Sequence, residues 1–69
     1  MDFLVTIDNN PWFCVEVKKS IERNTSTLEY FGRGLKIPYM FQVVDTRNTD
    51  LSKNNVRIIS IEKFLGGLV

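Results

Sequence analysis

The sequence predicts a small mixed α/β (α+β) domain, with elements in the order β-β-α-β-β-α and about four strands in one sheet. Three observations support this fold class. Residues 2–8 alternate between apolar and polar side chains, as a half-buried strand does. A second alternating stretch, WFCVEVKKS, covers residues 12–20. The tetrapeptide STLE at residues 26–29 has the spacing of a capping box, which is typical of a helix start.

The two alternating stretches, residues 2–8 and 12–19, predict a hairpin whose apolar sides face one core. Those apolar sides consist of Phe3, Val5 and Ile7 in the first strand and Phe13, Val15 and Val17 in the second. Only an odd connection brings both sets to the same side, so the polar cluster between the strands predicts a three-residue loop. The opposite side then carries Trp12, Cys14, Glu16 and Lys18, together with Asp2.

A helix and a third strand follow the hairpin. The helix is expected over residues 27–34, with Ser26 as its N-cap and an apolar stripe that begins at Leu28. Residues 39–44, YMFQVV, are almost wholly apolar and predict a strand buried on both faces. Because strand–helix–strand units cross over in a right-handed sense, this strand should lie parallel to residues 12–19 and beside them.

The last third of the chain predicts one loop, one strand and one helix. Residues 45–55 are polar and are expected to form a long loop. Residues 56–59 predict the fourth strand, in sequence order within the sheet. Ser60 is a candidate cap for a short helix over residues 61–65.

The chain length of 69 residues predicts a single domain, residues 1–69, with a small core. Residues 2–8 should form an edge strand whose outer N–H and C=O groups are unpaired, and two short helices can hardly cover both faces of the sheet. We therefore expect self-association through this edge strand, or docking to a larger protein.

Composition narrows the functional classes. The net charge is +1, so no strong basic field points to nucleic acid, although DNA stays a candidate partner. Cys14 is the only cysteine and histidine is absent, which excludes an internal disulfide and most zinc sites. No apolar run approaches the ~20 residues of a membrane span. These features predict a cytoplasmic protein without a membrane partner.

Three charged residues gather in the predicted register. Asp2 and the Glu16–Lys18 pair share one sheet surface on neighbouring strands. Two carboxylates are suited to a divalent cation such as Mg²⁺, and a lysine beside them could support charge on a phosphate. A solvated ion pair at a strand end is the simpler interpretation of Glu16 and Lys18.

The ordered motifs also resemble a known family. They are D-F-L, P-W-x-x-V-E-V-K-x-S, L-x-Y-F, I-P-x-x-F-Q-V-V and a terminal F-L, which together cover nearly the whole chain. An acid that opens one strand, followed by Glu-x-Lys on the next, is similar to the core of the PD-(D/E)xK nuclease superfamily. The full set resembles the C-terminal segment of prokaryotic AAA ATPases that carry a C-terminal domain of unknown function.

The resemblance implies a restriction-endonuclease-like core and a catalytic set of Asp2, Glu16, Lys18 and Gln42, with Asp2 and Glu16 as ligands of Mg²⁺. The chain departs from the family in two ways. It has no G-x-x-x-x-G-K-[ST] motif, so the ATPase part is absent. It also lacks the family's upstream helix and first strand, and therefore corresponds to a truncated module.

The preferred interpretation is a non-catalytic interaction or structural module. One alternative is a Mg²⁺-dependent DNA endonuclease that is active only as an oligomer or with a partner. Another is a nucleic-acid-binding module without cleavage, in which Trp12 with Tyr39 or Phe41 stacks on bases. Core packing is the simpler role for these aromatic residues, and for Cys14 as a small buried hydrophobe. The basic residues are scattered and read as solvated surface.

Overall fold

The structure is a computed structural model that describes residues 2–22 and 24–67. It has five strands and two helices within these residues. In chain order they are β1 (Phe3–Ile7), β2 (Asn10–Lys18), α1 (Ser26–Leu35), β3 (Tyr39–Val44), β4 (Asp50–Lys53), β5 (Val56–Ser60) and α2 (Ile61–Gly66). The strands form one mixed sheet in the order β1-β2-β3-β5-β4. The mixed α/β class is confirmed, but the prediction of four strands in sequence order is wrong.

The centre of the sheet is parallel, and the parallel pairing of its second and third strands was expected. Strand β3 pairs with β2 in parallel, with Glu16 opposite Gln42, and α1 provides the crossover between them. Strand β5 pairs with the other side of β3, also in parallel, with Gln42 opposite Ile58. The buried strands β3 and β5 therefore carry the near-continuous apolar sequence that a parallel sheet requires.

The β1–β2 hairpin has a two-residue turn instead of the expected three-residue loop. Asp8 and Asn9 form this turn with φ values of 52° and 67°, the positive pair that a tight type I′ hairpin turn needs. Val5 pairs with Phe13 but Thr6 pairs with Pro11, so Trp12 is an extra residue in the ladder. Because of this β-bulge, the apolar side chains of both strands face the same side of the sheet, which the three-residue loop was expected to achieve.

Because of the bulge, the predicted position of the Trp12 side chain is wrong. An unbroken alternation would place its side chain on the surface that carries Cys14, but Trp12 packs edge-to-face on Phe13, with ring centroids 5.0 Å apart. The aromatic pair therefore lies on the opposite surface of the sheet from Cys14, together with Val15.

Strand β4 replaces part of the polar loop predicted for residues 45–55. It pairs antiparallel with β5 at the far edge of the sheet, with Leu51 opposite Ile58. The intervening turn contains Asn54 and Asn55, whose φ values are 50° and 69°. All four residues of β4 are exposed, so backbone pairing rather than apolar burial holds this strand in place.

The two faces of the sheet are covered to different extents. The face under α1, here called the α1 face, carries a closed cluster that consists of Cys14, Leu28, Ile37, Met40, Val44, Val56 and Ile58. The opposite surface, the α2 face, carries a smaller cluster of Phe13, Val15, Val43 and Ile59, with Val5, Phe41 and Phe64 packed against it. Helix α2 has no buried residue, so most of this second face stays open.

Both helices differ at their ends from the sequence-based prediction. Helix α1 runs from Ser26, with Thr25 rather than Ser26 at the N-cap position, and the Thr25 hydroxyl donates to the Glu29 carboxylate at 2.6 Å. The helix ends at Leu35, one residue beyond Gly34, and the next residue, Lys36, adopts a left-handed conformation with φ 54°. Ser60 does precede α2, but its hydroxyl makes no capping hydrogen bond.

Candidate functional site

The structure places the four predicted site residues on the α1 face of the sheet. Phe3 is the register partner of Val15, so Asp2, immediately before β1, lies beside Glu16, and Glu16 in turn lies opposite Gln42. Lys18 follows on the same side of β2. The hydrophobic pattern therefore does gather these side chains, although it does so through a bulge and a two-residue turn.

Asp2 joins the first two strands through hydrogen bonds at the edge of the sheet. Its backbone N–H donates to the Val15 carbonyl at 2.9 Å, and its carboxylate Oδ2 accepts the Val17 N–H at 2.7 Å. One carboxylate oxygen is thus engaged in extending the sheet by one residue. A hydrogen bond of this charge-assisted kind stabilises the folded chain in its own right.

Glu16 and Lys18 form an ion pair, with Glu16 Oε1 and Lys18 Nζ 3.1 Å apart. The hydrogen bond to Glu16 and the charge of that carboxylate raise the pKa of Lys18, and Glu22 and Asp2 act in the same direction. Both side chains are partly exposed, so the pair contributes little to stability.

Gln42 is the most constrained of the four. It is almost fully buried, and its side-chain amide binds the backbone of Glu22 twice. Oε1 accepts the Glu22 N–H at 2.8 Å, and Nε2 donates to the Glu22 carbonyl at 2.9 Å. This amide holds the segment between β2 and α1 against the sheet, and both of its ends are already hydrogen-bonded.

These contacts make a poor cradle for Mg²⁺. The ammonium of Lys18 takes one oxygen of Glu16, and the Val17 N–H takes one oxygen of Asp2. Magnesium requires near-octahedral oxygen coordination, and across residues 2–22 and 24–67 no group of three or more His, Cys, Asp or Glu side chains is placed to hold a metal ion. The donor set as folded therefore does not fit the metal that the family resemblance implies.

Two open surfaces on the α2 face were not identified from the sequence. Helix α2 lies over the sheet and leaves a recess on each side. One is a pocket of about 520 Å³, here called the aromatic pocket, lined by Trp12, Phe13, Tyr39, Phe41, Arg57, Ile59, Lys63, Phe64 and Gly67. The other is a groove of about 300 Å³, here called the apolar groove, lined by Phe3, Val5, Phe13, Val15, Val17, Val43, Ile61, Phe64 and Leu65.

The sequence did contain a signal for these recesses. Alternation places Val17 on the core side, and Tyr39 belongs to a strand expected to be buried on both faces, yet the two residues are 50% and 56% exposed. The six residues of α2 are too few to cover a five-stranded sheet, in line with the expectation that two short helices can hardly cover both faces, but that expectation did not locate the two recesses.

Cys14 is fully buried, as predicted, and burial raises the pKa of its thiol. A thiol held in its neutral form is unsuited to nucleophilic chemistry.

In the described part of the chain no helix is both long and apolar enough to cross a membrane. Comparison with known proteins returned no matching family model, no matching curated protein and no matching solved structure.

Proposed function

We propose that this chain is a non-catalytic interaction module that associates with a second copy of itself through the outer edge of β1. One observation carries the proposal: β1 is an edge strand without a charged residue, and its large side chains are exposed. Phe3, Leu4 and Ile7 are 61%, 39% and 50% exposed. An uncharged apolar edge with unpaired backbone groups is the surface on which strand addition occurs.

The opposite edge of the same sheet provides an internal comparison. Strand β4 is only four residues long and begins with Asp50 and ends with Lys53. Asp50 also binds Arg57 of β5 through two hydrogen bonds of 2.9 and 2.8 Å, so a second charged side chain lies beside that edge. Natural sheets protect edges with short strands and charges of this kind. The edge at β4 is protected in this way, whereas the edge at β1 is not.

The backbone of Leu4 faces the open edge of β1. Val15 and Val17 direct their backbone groups towards Asp2, and hydrogen-bonding direction alternates along an antiparallel ladder. Phe3 and Val5, the register partners of Val15 and Phe13, therefore bond inward, and Leu4 between them presents its N–H and C=O outward.

A twofold axis through Leu4 gives the most compatible antiparallel pairing of two β1 strands. It places Leu4 opposite the partner's Leu4, Phe3 opposite the partner's Val5 and Asp2 opposite the partner's Thr6. A shift of the axis to Val5 would instead place Asp2 opposite the partner's Asp8, and like charges opposite each other are destabilising. The first register also leaves apolar side chains paired on both faces.

This pairing would join the apolar grooves of the two copies, because Phe3 and Val5 line the groove of each. The resulting sheet would have ten strands and a continuous apolar floor across the dimer axis. A five-residue strand edge buries less than the roughly 800 Å² per partner of standard interfaces, so the dimer belongs to the weak, transient class.

Sedimentation equilibrium over a concentration series tests the proposal. The chain should show a concentration-dependent monomer–dimer equilibrium that Leu4→Lys abolishes, because two lysines would then meet at the axis. Leu51→Lys is the matched control: Leu51 is 42% exposed, lies on the other edge strand and faces the same surface of the sheet. A monomer at millimolar concentration, or equal effects of the two variants, would contradict the proposal.

We also propose the kinship with the PD-(D/E)xK-like tail of AAA ATPases. The parallel β2–α1–β3 crossover and the shared surface of Asp2, Glu16 and Lys18 support it. Under this kinship the site geometry is inherited, and the carboxylates now stabilise the fold.

If a larger protein is the partner instead of a second copy, Leu4→Lys would weaken that complex while the isolated chain stays monomeric at every concentration.

A further inference from the structure

The floor of the aromatic pocket is a rigid set of three phenylalanines. Phe13 from β2, Phe41 from β3 and Phe64 from α2 contact one another edge-to-face, with ring centroids 5.7, 6.4 and 5.3 Å apart. Each such edge-to-face contact stabilises the packing beyond the burial of the rings. The floor is therefore formed before any ligand arrives.

The rim of the pocket is aromatic as well, but open to solvent. Trp12 is 42% exposed and Tyr39 is 56% exposed, so each presents a ring surface to the pocket and to water. The bulge in β2 is what turns Trp12 to this side. A β-bulge that places a large aromatic side chain at the mouth of a recess often accompanies a binding site.

Two cations complete the wall of the aromatic pocket. Lys63 extends from α2, and Arg57 extends from β5 on the opposite side. Asp50 engages Arg57 through Nε and one terminal nitrogen, which leaves the other terminal nitrogen of the guanidinium without that partner. Two cations and one carboxylate leave a local excess of one positive charge.

We propose that the aromatic pocket binds a small molecule that carries a flat aromatic ring and an anionic group. The ring inserts between Trp12 and Tyr39 over the phenylalanine floor, and the anion contacts Lys63 and the terminal nitrogen of Arg57 that Asp50 does not engage. A volume of about 520 Å³ suits a ligand of nucleotide size. The neighbouring apolar groove has no charged or polar side chain in its wall, so it offers no such selectivity.

The anion could be a phosphate or a carboxylate, and the probes distinguish them. The wild-type protein is titrated with AMP, 1-naphthoate, adenosine and inorganic phosphate at constant ionic strength. Trp12 is the only tryptophan of the chain, so its fluorescence reports directly on the pocket. Amide chemical shifts of residues along the pocket provide a second readout that does not depend on ring absorption.

Ring and anion together should bind at least about tenfold more tightly than either alone, the size of one charge-assisted hydrogen bond. If AMP saturates the signal and 1-naphthoate does not, the anion is a phosphate, and the reverse assigns a carboxylate. Lys63→Gln should weaken binding of the better of these two probes several-fold. Lys19→Gln, which changes an exposed lysine immediately after β2, should not.

Three results would overturn the proposal. They are equal binding of adenosine and AMP together with no binding of 1-naphthoate, shift changes confined to the apolar groove, and binding of oligothymidylate far more tightly than any of the four probes. The last would assign a nucleic-acid strand to this surface. Because Leu4 lies outside the aromatic pocket, Leu4→Lys should leave binding unchanged, so this test and the test of dimerisation succeed or fail separately.

Discussion

The Gln42 side chain binds both backbone groups of Glu22, twenty positions away in the chain, with distances of 2.8 and 2.9 Å. This amide therefore substitutes for a neighbouring strand at the point where the chain leaves the sheet. The family resemblance assigns Gln42 to the catalytic set, whereas its contacts give it a structural role.

Gln42→Leu should destabilise the fold by about 1–3 kcal/mol. The substitution keeps the volume but leaves two backbone groups of Glu22 without partners. Urea unfolding measures the loss, and hydrogen exchange at the Glu22 amide should accelerate more than exchange in α1. Unchanged protection of Glu22 would show that the amide does not hold this segment.

Substitutions of Asp2 distinguish a structural role, in which Asp2 joins β1 to β2, from a role as a metal ligand. Asp2→Asn retains an oxygen that can accept the Val17 N–H but loses the charge, so it should lose less stability than Asp2→Ala. Asp2→Ala loses this hydrogen bond and should cost about 1 kcal/mol. Millimolar Mg²⁺ should leave the melting temperature of all three proteins unchanged. A magnesium-dependent stabilisation that both variants lose would instead identify Asp2 as a ligand.

Two glycines of α1 provide a matched pair. Gly32 is buried, and a Cβ there would overlap the sulfur of Met40 in β3. Because the Met40 side chain is itself buried in the cluster of the α1 face, it has little room to move, and Gly32→Ala should destabilise by about 1–3 kcal/mol. Nothing lies near a Cβ on Gly34, so Gly34→Ala should stabilise the helix by about 0.5–1 kcal/mol. Thermal unfolding of both variants measures these changes in stability. Similar shifts of the same sign would refute the close approach of α1 to β3.

Stability should decline in acid for an identifiable reason. Hydrogen bonds from Arg57 lower the pKa of Asp50, and the Asn48 N–H lowers the pKa of Glu62. Carboxyls with a depressed folded pKa bind fewer protons in the folded state. Their stabilisation is therefore complete above the unfolded pKa of about 4 and is lost as the pH falls through the lowered folded values.

Urea midpoints measured between pH 2 and pH 6 test this dependence. The decline with falling pH should be shallower in the variant with Asp50→Asn and Glu62→Gln, because neither side chain then titrates. The same slope in the variant and the wild type would mean that other carboxyls cause the decline.

The parts of the fold that bury apolar surface could be predicted from the sequence. The alternation in β2 and the apolar run in β3 defined two strands, and the capping pattern near Ser26 placed a helix between them. A right-handed crossover then left only a parallel pairing of these strands. The grouping of Asp2 with Glu16 followed from the same alternation.

The parts held by backbone geometry could not be predicted in this way. Strand β4 exposes all of its side chains, so it has no hydrophobic pattern, and the Asn54–Asn55 dipeptide, whose positive φ values form the turn, lay inside the segment expected to be a loop. The alternation of apolar and polar residues could not reveal the bulge at Trp12. A two-residue turn with a bulge and a three-residue loop both direct the side chains from Phe13 onward to the same faces of the sheet. The contacts of Gln42 depend on a polar segment that carries no periodicity.

Disulfide trapping of the dimer tests the proposed pairing of β1 most directly. Cysteine is introduced at Leu4 or, separately, at Val5, in both cases with Cys14→Ala, because Cys14 lies opposite Leu4 within the chain. Circular dichroism confirms that each variant folds. On an axis through Leu4, the two introduced Cα atoms lie about 5.5 Å apart, within disulfide range. Two cysteines at position 5 would be offset diagonally beyond that range.

Mild oxidation should therefore convert Leu4→Cys to a covalent dimer and leave Val5→Cys monomeric. No covalent dimer from Leu4→Cys at millimolar protein, or faster trapping of Val5→Cys, would contradict association through this edge in this register.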